Sequence, residues 1–274
     1  RVAYSQGGVG SLSSLVTESL CDQVFMRKYY PIVIALLLVI VGVVHFGVVQ
    51  NGTNGAEEEE IPPIEYPDLG GPGDRKLYPI DEASQNTDFE KFRDELVDAA
   101  QRRDLDFLKE HTDDNVRYTF GENDTIEGFL REWHLDSNPE ESEFWGELIQ
   151  VLELGGTFDG REGFTAPYVY SQFPEDIDAF QHVVIVDEKV KVYAQPDIKS
   201  EIQGTLTYSI VRLLEPDAQP RTEEGGSGLW LKVQTFSGHS GFILAKYARS
   251  PIDYRARWKN VNGTWRMVFF VAGD

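Results

Sequence analysis

The chain has 274 residues and a mass of 31.0 kDa, room for one large domain or two small ones. Its 25 basic and 46 acidic residues give a net charge of −21, which excludes a protein that grips nucleic-acid phosphates through a broad basic face. One cysteine, Cys21, excludes an intrachain disulfide framework and a CxxC metal site; 41% hydrophobic and 12% aromatic residues are enough for a sizeable core.

Residues 1–30 carry no core pattern and read as a short N-terminal tail. Pro31 to Val49 (PIVIALLLVIVGVVHFGVV) is a run of 19 residues with no formal charge and one histidine, His45. At about 1.5 Å per residue a helix of this length covers roughly 28 Å, close to a hydrocarbon core. Met26-Arg27-Lys28 precede it and Glu57 to Glu60 come after it. Positive-inside bias then leaves the N-terminus in the cytoplasm and exports the chain beyond Gln50. The expectation is a single transmembrane helix at 31–49, with the C-terminal part in the periplasm or at the cell surface. The alternative is a cleaved secretory signal starting at Met26, for which the apolar run is long. Either one exports the remainder. Arg1, Arg27 and Lys28 against Glu18 and Asp22 give residues 1–50 a charge of +1, leaving −22 beyond. A surface this acidic repels anionic lipid and nucleic acid.

Residues 50–87 (NGTNGAEEEEIPPIEYPDLGGPGDRK and onward) are rich in Gly, Pro and Glu, without helical or strand period, and read as a flexible acidic linker. From Asp88 the pattern changes. Phe89, Phe92, Leu96, Ala99 and Ala100 fall at helical spacing, and Leu105, Phe107 and Leu108 continue an apolar face after Arg102-Arg103-Asp104. Val116 to Phe120 alternates like a strand. Asp124 or Thr125 caps a helix carrying Ile126, Phe129, Leu130 and Trp133. Ser142 to Leu154 is a further helix closed by Gly155-Gly156. Asp104, Leu108, Val116, Tyr118, Phe120, Gly121, Gly128, Phe129 and Trp133 together resemble the opening of cystatin-like and NTF2-like domains. That resemblance implies helices on a curved sheet over residues 88–182.

Residues 183–251 are short alternating strands with turn punctuation: Val184 to Val186, Val190 to Pro196, Leu206, Ser209 to Leu214, Leu229 to Val233, and Ser240 to Ile243, followed by Tyr247. Such spacing predicts a small antiparallel barrel. Val190, Val192, Pro196, Ser200, Leu206, Ile210, Trp230, Val233, Gly238, Gly241, Phe242, Ile243 and Tyr247 resemble the bacterial SH3 (SH3b) family. Two features depart from it: Tyr193 stands where the family has arginine, and a long acidic loop, Glu215 to Gly228, precedes Trp230. The resemblance implies a ligand-binding module for a cell-wall peptide or an envelope protein, and it implies no catalysis. Tyr193, Tyr208, Trp230, Phe242 and Tyr247 are the candidate ligand-binding residues, because aromatic faces suit extended peptides and sugars. Trp230 and Phe242 fit the interior of a barrel better than a groove, whereas Tyr193 and Tyr208 fit either place.

Ser250 to Trp258 alternates, turns at Asn260-Val-Asn-Gly263 and returns as Thr264 to Val271, a hairpin. This C-terminal hairpin, 252–274, also resembles the last strands of NTF2-like domains and is expected to pack on residues 88–182. The SH3-like barrel is then an insertion or a lateral partner; the alternative is a helical domain followed by an extended barrel.

No metal-binding, phosphate-binding or nucleophile motif is present. His111, His134, His182 and His239 are scattered, and paired acids such as Asp113-Asp114, Glu140-Glu141 and Glu223-Glu224 are ordinary in so acidic a chain. The three sequons at Asn51, Asn123 and Asn262 fit glycosylation in a eukaryotic secretory route; the resemblance to the bacterial SH3 family implies instead a bacterial envelope, where they are coincidental. The expected fold class is α+β: a helix-rich α+β domain packed with an SH3-like small antiparallel β-barrel, after a single N-terminal transmembrane helix. The expected function is non-catalytic binding of a peptide or cell-wall ligand, with no cofactor, no metal and no nucleic acid. The alternative is an NTF2-like small-ligand carrier or enzyme, with a pocket lined by Tyr118, Trp133 and Trp145 and an acid such as Asp124 or Glu132.

Overall fold

The structure is a computed structural model that describes residues 64–121, 124–160, 163–214 and 230–273. The N-terminal tail, the apolar run 31–49, the first part of the linker, Asn123 and the acidic loop 215–228 lie outside the described residues. Among the described residues no helix is long and apolar enough to cross a membrane.

Helix α1 (Thr87–Arg102) starts where Asn86 accepts the backbone N–H groups of Asp88 and Phe89, at 3.1 and 3.0 Å, the usual role of an N-cap. It ends at Arg103, which takes a left-handed conformation. The short α2 (Leu105–Glu110) and α3 (Ile126–Glu132) are capped in the same way by Asp104 and Thr125. Helix α4 (Phe144–Glu153) buries Phe144, Trp145, Leu148, Val151 and Leu152.

These helices cover a five-stranded sheet. Its order is β1 (Thr112–Arg117), β12 (Thr264–Val271), β11 (Arg255–Val261), β3 (Gly163–Ala166) and β2 (Thr157–Phe158). β1 runs parallel to β12, and the other pairs are antiparallel. β3 and β11 are hydrogen-bonded neighbours although residues 167–254 lie between them. A bulge sets Arg257 opposite Phe269 but Trp258 opposite Met267. The extra residue, Val268, shifts the inward phase so that Trp265, Met267 and Phe270 all reach the core. The strand expected at Val116 to Phe120 forms earlier, at Thr112–Arg117. The reason lies in the turn after it: the backbone N–H groups of Tyr118 and Thr119 and the Thr119 hydroxyl all bond to the Asp124 carboxylate, so they are turned away from a ladder.

After the short helix α5 (Tyr168–Ser171) comes a seven-stranded antiparallel sheet. Its order is β10 (Ala248–Arg249), β4 (His182–Ile185), β7 (Ile210–Leu213), β8 (Trp230–Gln234), β9 (Ser240–Leu244), β5 (Val190–Tyr193) and β6 (Ile202–Leu206). Val183, Ile185, Val190, Val192, Leu206, Val211, Val233 and Ile243 meet on its inner face.

Two parts of the expected fold class are corrected. Among the described residues the fold is mostly β, two sheets of twelve strands with few helices, because residues 155–182 and 252–273 supply strands and turns, and only two of the described helices exceed seven residues. The second sheet bends around its core but is not a closed barrel: β10 and β6 remain its two ends. The outer edge of β6 is taken instead by the chain entering the fold. Asp68 bridges Thr205 in parallel, Leu69 N–H donates to Thr205 O and Thr205 N–H to Pro67 O.

That entering segment, 64–86, forms a strap with almost no regular secondary structure. Leu69 packs on the inner core. Leu77 N–H donates to Tyr208 O, and Glu82 N–H to Gly156 O, just ahead of β2. Gly204 is the point of closest approach: a Cβ there would lie 2.6 Å from both Pro67 O and Leu69 Cγ. Gly204→Val is therefore expected to unseat the strap, exposing Leu69 at a cost of about 1–2 kcal/mol. Limited trypsin digestion should then cut faster at Arg75 and Lys76; an unchanged cleavage rate would contradict the seating described.

Candidate functional site

Side-chain alternation divides the second sheet into two faces. Leu231 and Val233 of β8 point into the inner core, as do Ile243 of β9 and Val190 and Val192 of β5. Trp230, Lys232 and Gln234 therefore share the outer face. Cross-strand partners extend it. Lys232 stands opposite Phe242, Phe242 opposite Tyr193, Gln234 opposite Arg212, and Arg212 opposite His182. Directly opposed residues project from the same face, so these side chains form one continuous strip over β5, β9, β8, β7 and β4.

One part of that outer face is covered. Val184 and Ile210 pack there with Tyr168, Val169 and Ile177 from the connection between the sheets. The strip begins where that cover ends. At one end the Tyr193 and Trp230 rings meet edge to face, with centroids 5.2 Å apart. Lys232 Nζ lies 5.8 Å from the centre of the Phe242 ring, and Lys191 Nζ lies 5.9 Å from that of Tyr66, both in cation–π range. At the other end His182 stacks on Phe236 at 5.5 Å and 7°, beside an open cavity of about 390 Å³ lined by Gln181, His182, Arg212, Gln234, Thr235 and Phe236. Gly241 permits the crossing that assembles the aromatic end. A Cβ there would be 2.5 Å from Val192 Cγ1 and 2.9 Å from Tyr193 O.

Of the five aromatic residues chosen from the sequence, Tyr193, Trp230 and Phe242 come together. Trp230 and Phe242 lie on the outer face, half-buried, and do not fill the inner core. Tyr193 is 8% exposed, so its ring is largely covered. Tyr208 is elsewhere. It sits in the turn after β6 at positive φ, holds Leu77 of the strap through its carbonyl, and meets Tyr78 edge-on at 5.7 Å. Tyr247 packs against the inner core under Lys246, while its carbonyl accepts Val186 N–H. Sequence reasoning missed Lys232, Gln234, Arg212, His182 and Phe236. The parity of β8 was the available signal, since Lys232 and Gln234 share Trp230's face.

The residues named for the alternative pocket are core rings. Tyr118 meets Phe129 edge-on; Trp133 packs on Phe144, Tyr254 and Phe270; Trp145 packs on Phe144 and donates to Pro139 O at 2.7 Å. Burial would raise the Asp124 carboxyl, but its bonds from Thr119 and Tyr118 and the nearby Arg117 charge hold it below the usual range. It closes a loop. Glu132 is exposed. Among the described residues no three His, Cys, Asp or Glu side chains are grouped as a metal site.

Glu147 lies at the junction of the two sheets, beside Arg249. Burial raises its carboxyl above the ordinary range; Arg249 opposes this, and Asp253 and Glu143 add to it. A raised folded-state value means that ionised Glu147 costs stability. The cost is absent below the unfolded value and grows as pH rises through the folded one. Glu147→Gln should therefore gain on the wild type as pH rises from about 4 to 7, in urea unfolding monitored at each pH. A difference that stays constant, or that falls with pH, would contradict this sign.

Compared with protein families, curated proteins and solved structures, the chain finds no match.

Proposed function

We propose that the chain is a non-catalytic binding protein of a bacterial envelope, tethered by residues 31–49, that takes an extended peptide or a cell-wall peptide along the outer strip of its second sheet. An exposed envelope protein with such a segment is the corresponding partner. The observation that carries this reading is the side-by-side arrangement of Phe242 and Trp230 with Lys232 and Arg212 on one face, backed by the largely covered Tyr193 ring, in a chain of charge −21. Aromatic faces and lysine stems hold a ligand backbone by area and cation–π attraction. The resemblance of residues 183–251 to the bacterial SH3 family favours the same reading, without the closed barrel. The charge-free run at 31–49, with Arg27 and Lys28 before it and Glu57 to Glu60 after it, favours export of the acidic body.

The test is co-sedimentation of the full chain, in detergent, with purified peptidoglycan. Trp230→Ala is expected to lower retention about tenfold or more, the usual scale for losing a buried aromatic anchor. Tyr208→Ala, outside the strip, is expected to retain wild-type binding. No retention of the wild type, or equal loss in both variants, would remove the wall-binding reading.

A further inference from the structure

We infer that the cavity at the His182 end of the strip is a carboxylate subsite, reading an acidic group on a bound peptide. The inference rests on the binding role proposed for the strip and narrows its ligand to an anionic one. The cavity is built by a relay. Asp178 Oδ1 accepts Phe180 N–H at 2.9 Å, and its Oδ2 accepts Gln181 Nε2 at 2.9 Å. Gln181 Oε1 in turn accepts Arg212 Nη2 at 3.1 Å. Gln181 thus stands between the Asp178 carboxylate and the Arg212 guanidinium.

Among the described residues Gln181 is the hydrogen-bond partner of the Arg212 side chain, and no carboxylate lies within salt-bridge distance of it. A guanidinium that gives one Nη2 hydrogen to Gln181 keeps the other, together with Nη1 or Nε, for a second, forked interaction, the geometry that matches a carboxylate. Gln234, directly opposite Arg212, adds a carboxamide donor. His182 is fixed by its Nδ1, 2.8 Å from Asp178 O. Its ring, stacked on Phe236, makes a flat wall; Phe236 is 47% exposed. A single cation with carboxamides and a flat apolar wall suits a singly charged planar oxyanion beside apolar atoms. A peptide carboxylate, terminal or side-chain, has that form. In so acidic a chain, the cation also gives such a ligand its local attraction.

Benzoate is the probe, benzamide its neutral isostere and inorganic phosphate the competing oxyanion. Binding to the full chain in detergent is read from the backbone amide signals of Arg212 and Gln234 by NMR. Benzoate is expected to shift both. Benzamide, and benzoate with Arg212→Gln, should bind about tenfold or more weakly, the scale of one charge-assisted pair. Arg212→Lys, which keeps the charge without the fork, should fall between. Phosphate should bind more weakly than benzoate. Equal binding of benzoate and benzamide, unchanged binding by an Arg212→Gln protein with wild-type melting, tighter binding of phosphate, or no shift with benzoate would each overturn the subsite. Wall retention that survives Arg212→Gln but not Trp230→Ala would remove the subsite and leave the strip's binding role standing.

Discussion

Phe89→Ala is expected to cost about 3–5 kcal/mol, the range for emptying a fully buried aromatic site. Phe89 is completely buried in the first turn of α1. Its ring lies 5.9 Å from Phe92, 5.4 Å from Phe158, 4.3 Å from Phe164, 6.4 Å from Trp258 and 4.8 Å from Trp265. One side chain thus joins the helix to β2, β3, β11 and β12. Rings packed edge-to-face or tilted cannot collapse into the space without losing their own contacts. The melting temperature of the folded body should fall by about 10 °C, read by near-ultraviolet circular dichroism. Phe89→Leu, which leaves a smaller void, should cost about half as much. A loss under about 1 kcal/mol for the alanine variant would mean that the first sheet is not held from this point.

Arg249→Met is the second large effect, about 2–4 kcal/mol. Arg249 lies on β10 of the second sheet, with its side chain 9% exposed. Nη1 is 3.1 Å from Asp253 and 3.4 Å from Gln150; Nη2 is 3.2 Å from Tyr254 O and 3.9 Å from Glu147. Gln150 and Glu147 belong to α4, so this cation ties the two sheets together. Methionine keeps the stem's apolar contact but leaves two carboxylates and a carbonyl without their donor. Because Asp253 and Glu147 keep some water contact, the cost stays below that of a fully buried broken pair. Adding Glu147→Gln to Arg249→Met should restore part of the loss in urea unfolding. A double variant no more stable than Arg249→Met alone would contradict the coupling.

Periodic elements were legible in the residues. The spacing of Phe89, Phe92 and Leu96 is α1, although its cap Asn86 reads as linker, and Ser142 to Leu154 contains α4. The alternation on either side of Asn262-Gly263 is the hairpin β11–β12, since a left-handed pair at Asn262 and Gly263 fits that turn. The illegible parts depend on partners far away in sequence. The 64–86 segment lacks a period because it contributes single residues, Leu69 and Leu77, to cores made by other strands. It reads like a linker until Gly204 leaves room for it. Barrel closure was misjudged for the same reason, because strand spacing does not reveal that Asp68 takes the edge of β6. The aromatic end of the strip was partly legible, since Tyr193, Trp230 and Phe242 stood out as rings. Tyr208 and Tyr247 stood out equally, and only register separates them. Arg212 and His182 were invisible because their pairing across β4 and β7 joins residues 30 apart.

Hydroxyl-radical footprinting of the full chain, with and without soluble cell-wall peptide, tests the binding face most directly. The outer strip predicts protection of Trp230, Phe242 and Phe236 on addition of the peptide, with Tyr78 and Tyr208 modified as before. Protection confined to Tyr78 and Tyr208, or no protection anywhere at a saturating peptide concentration, would contradict it.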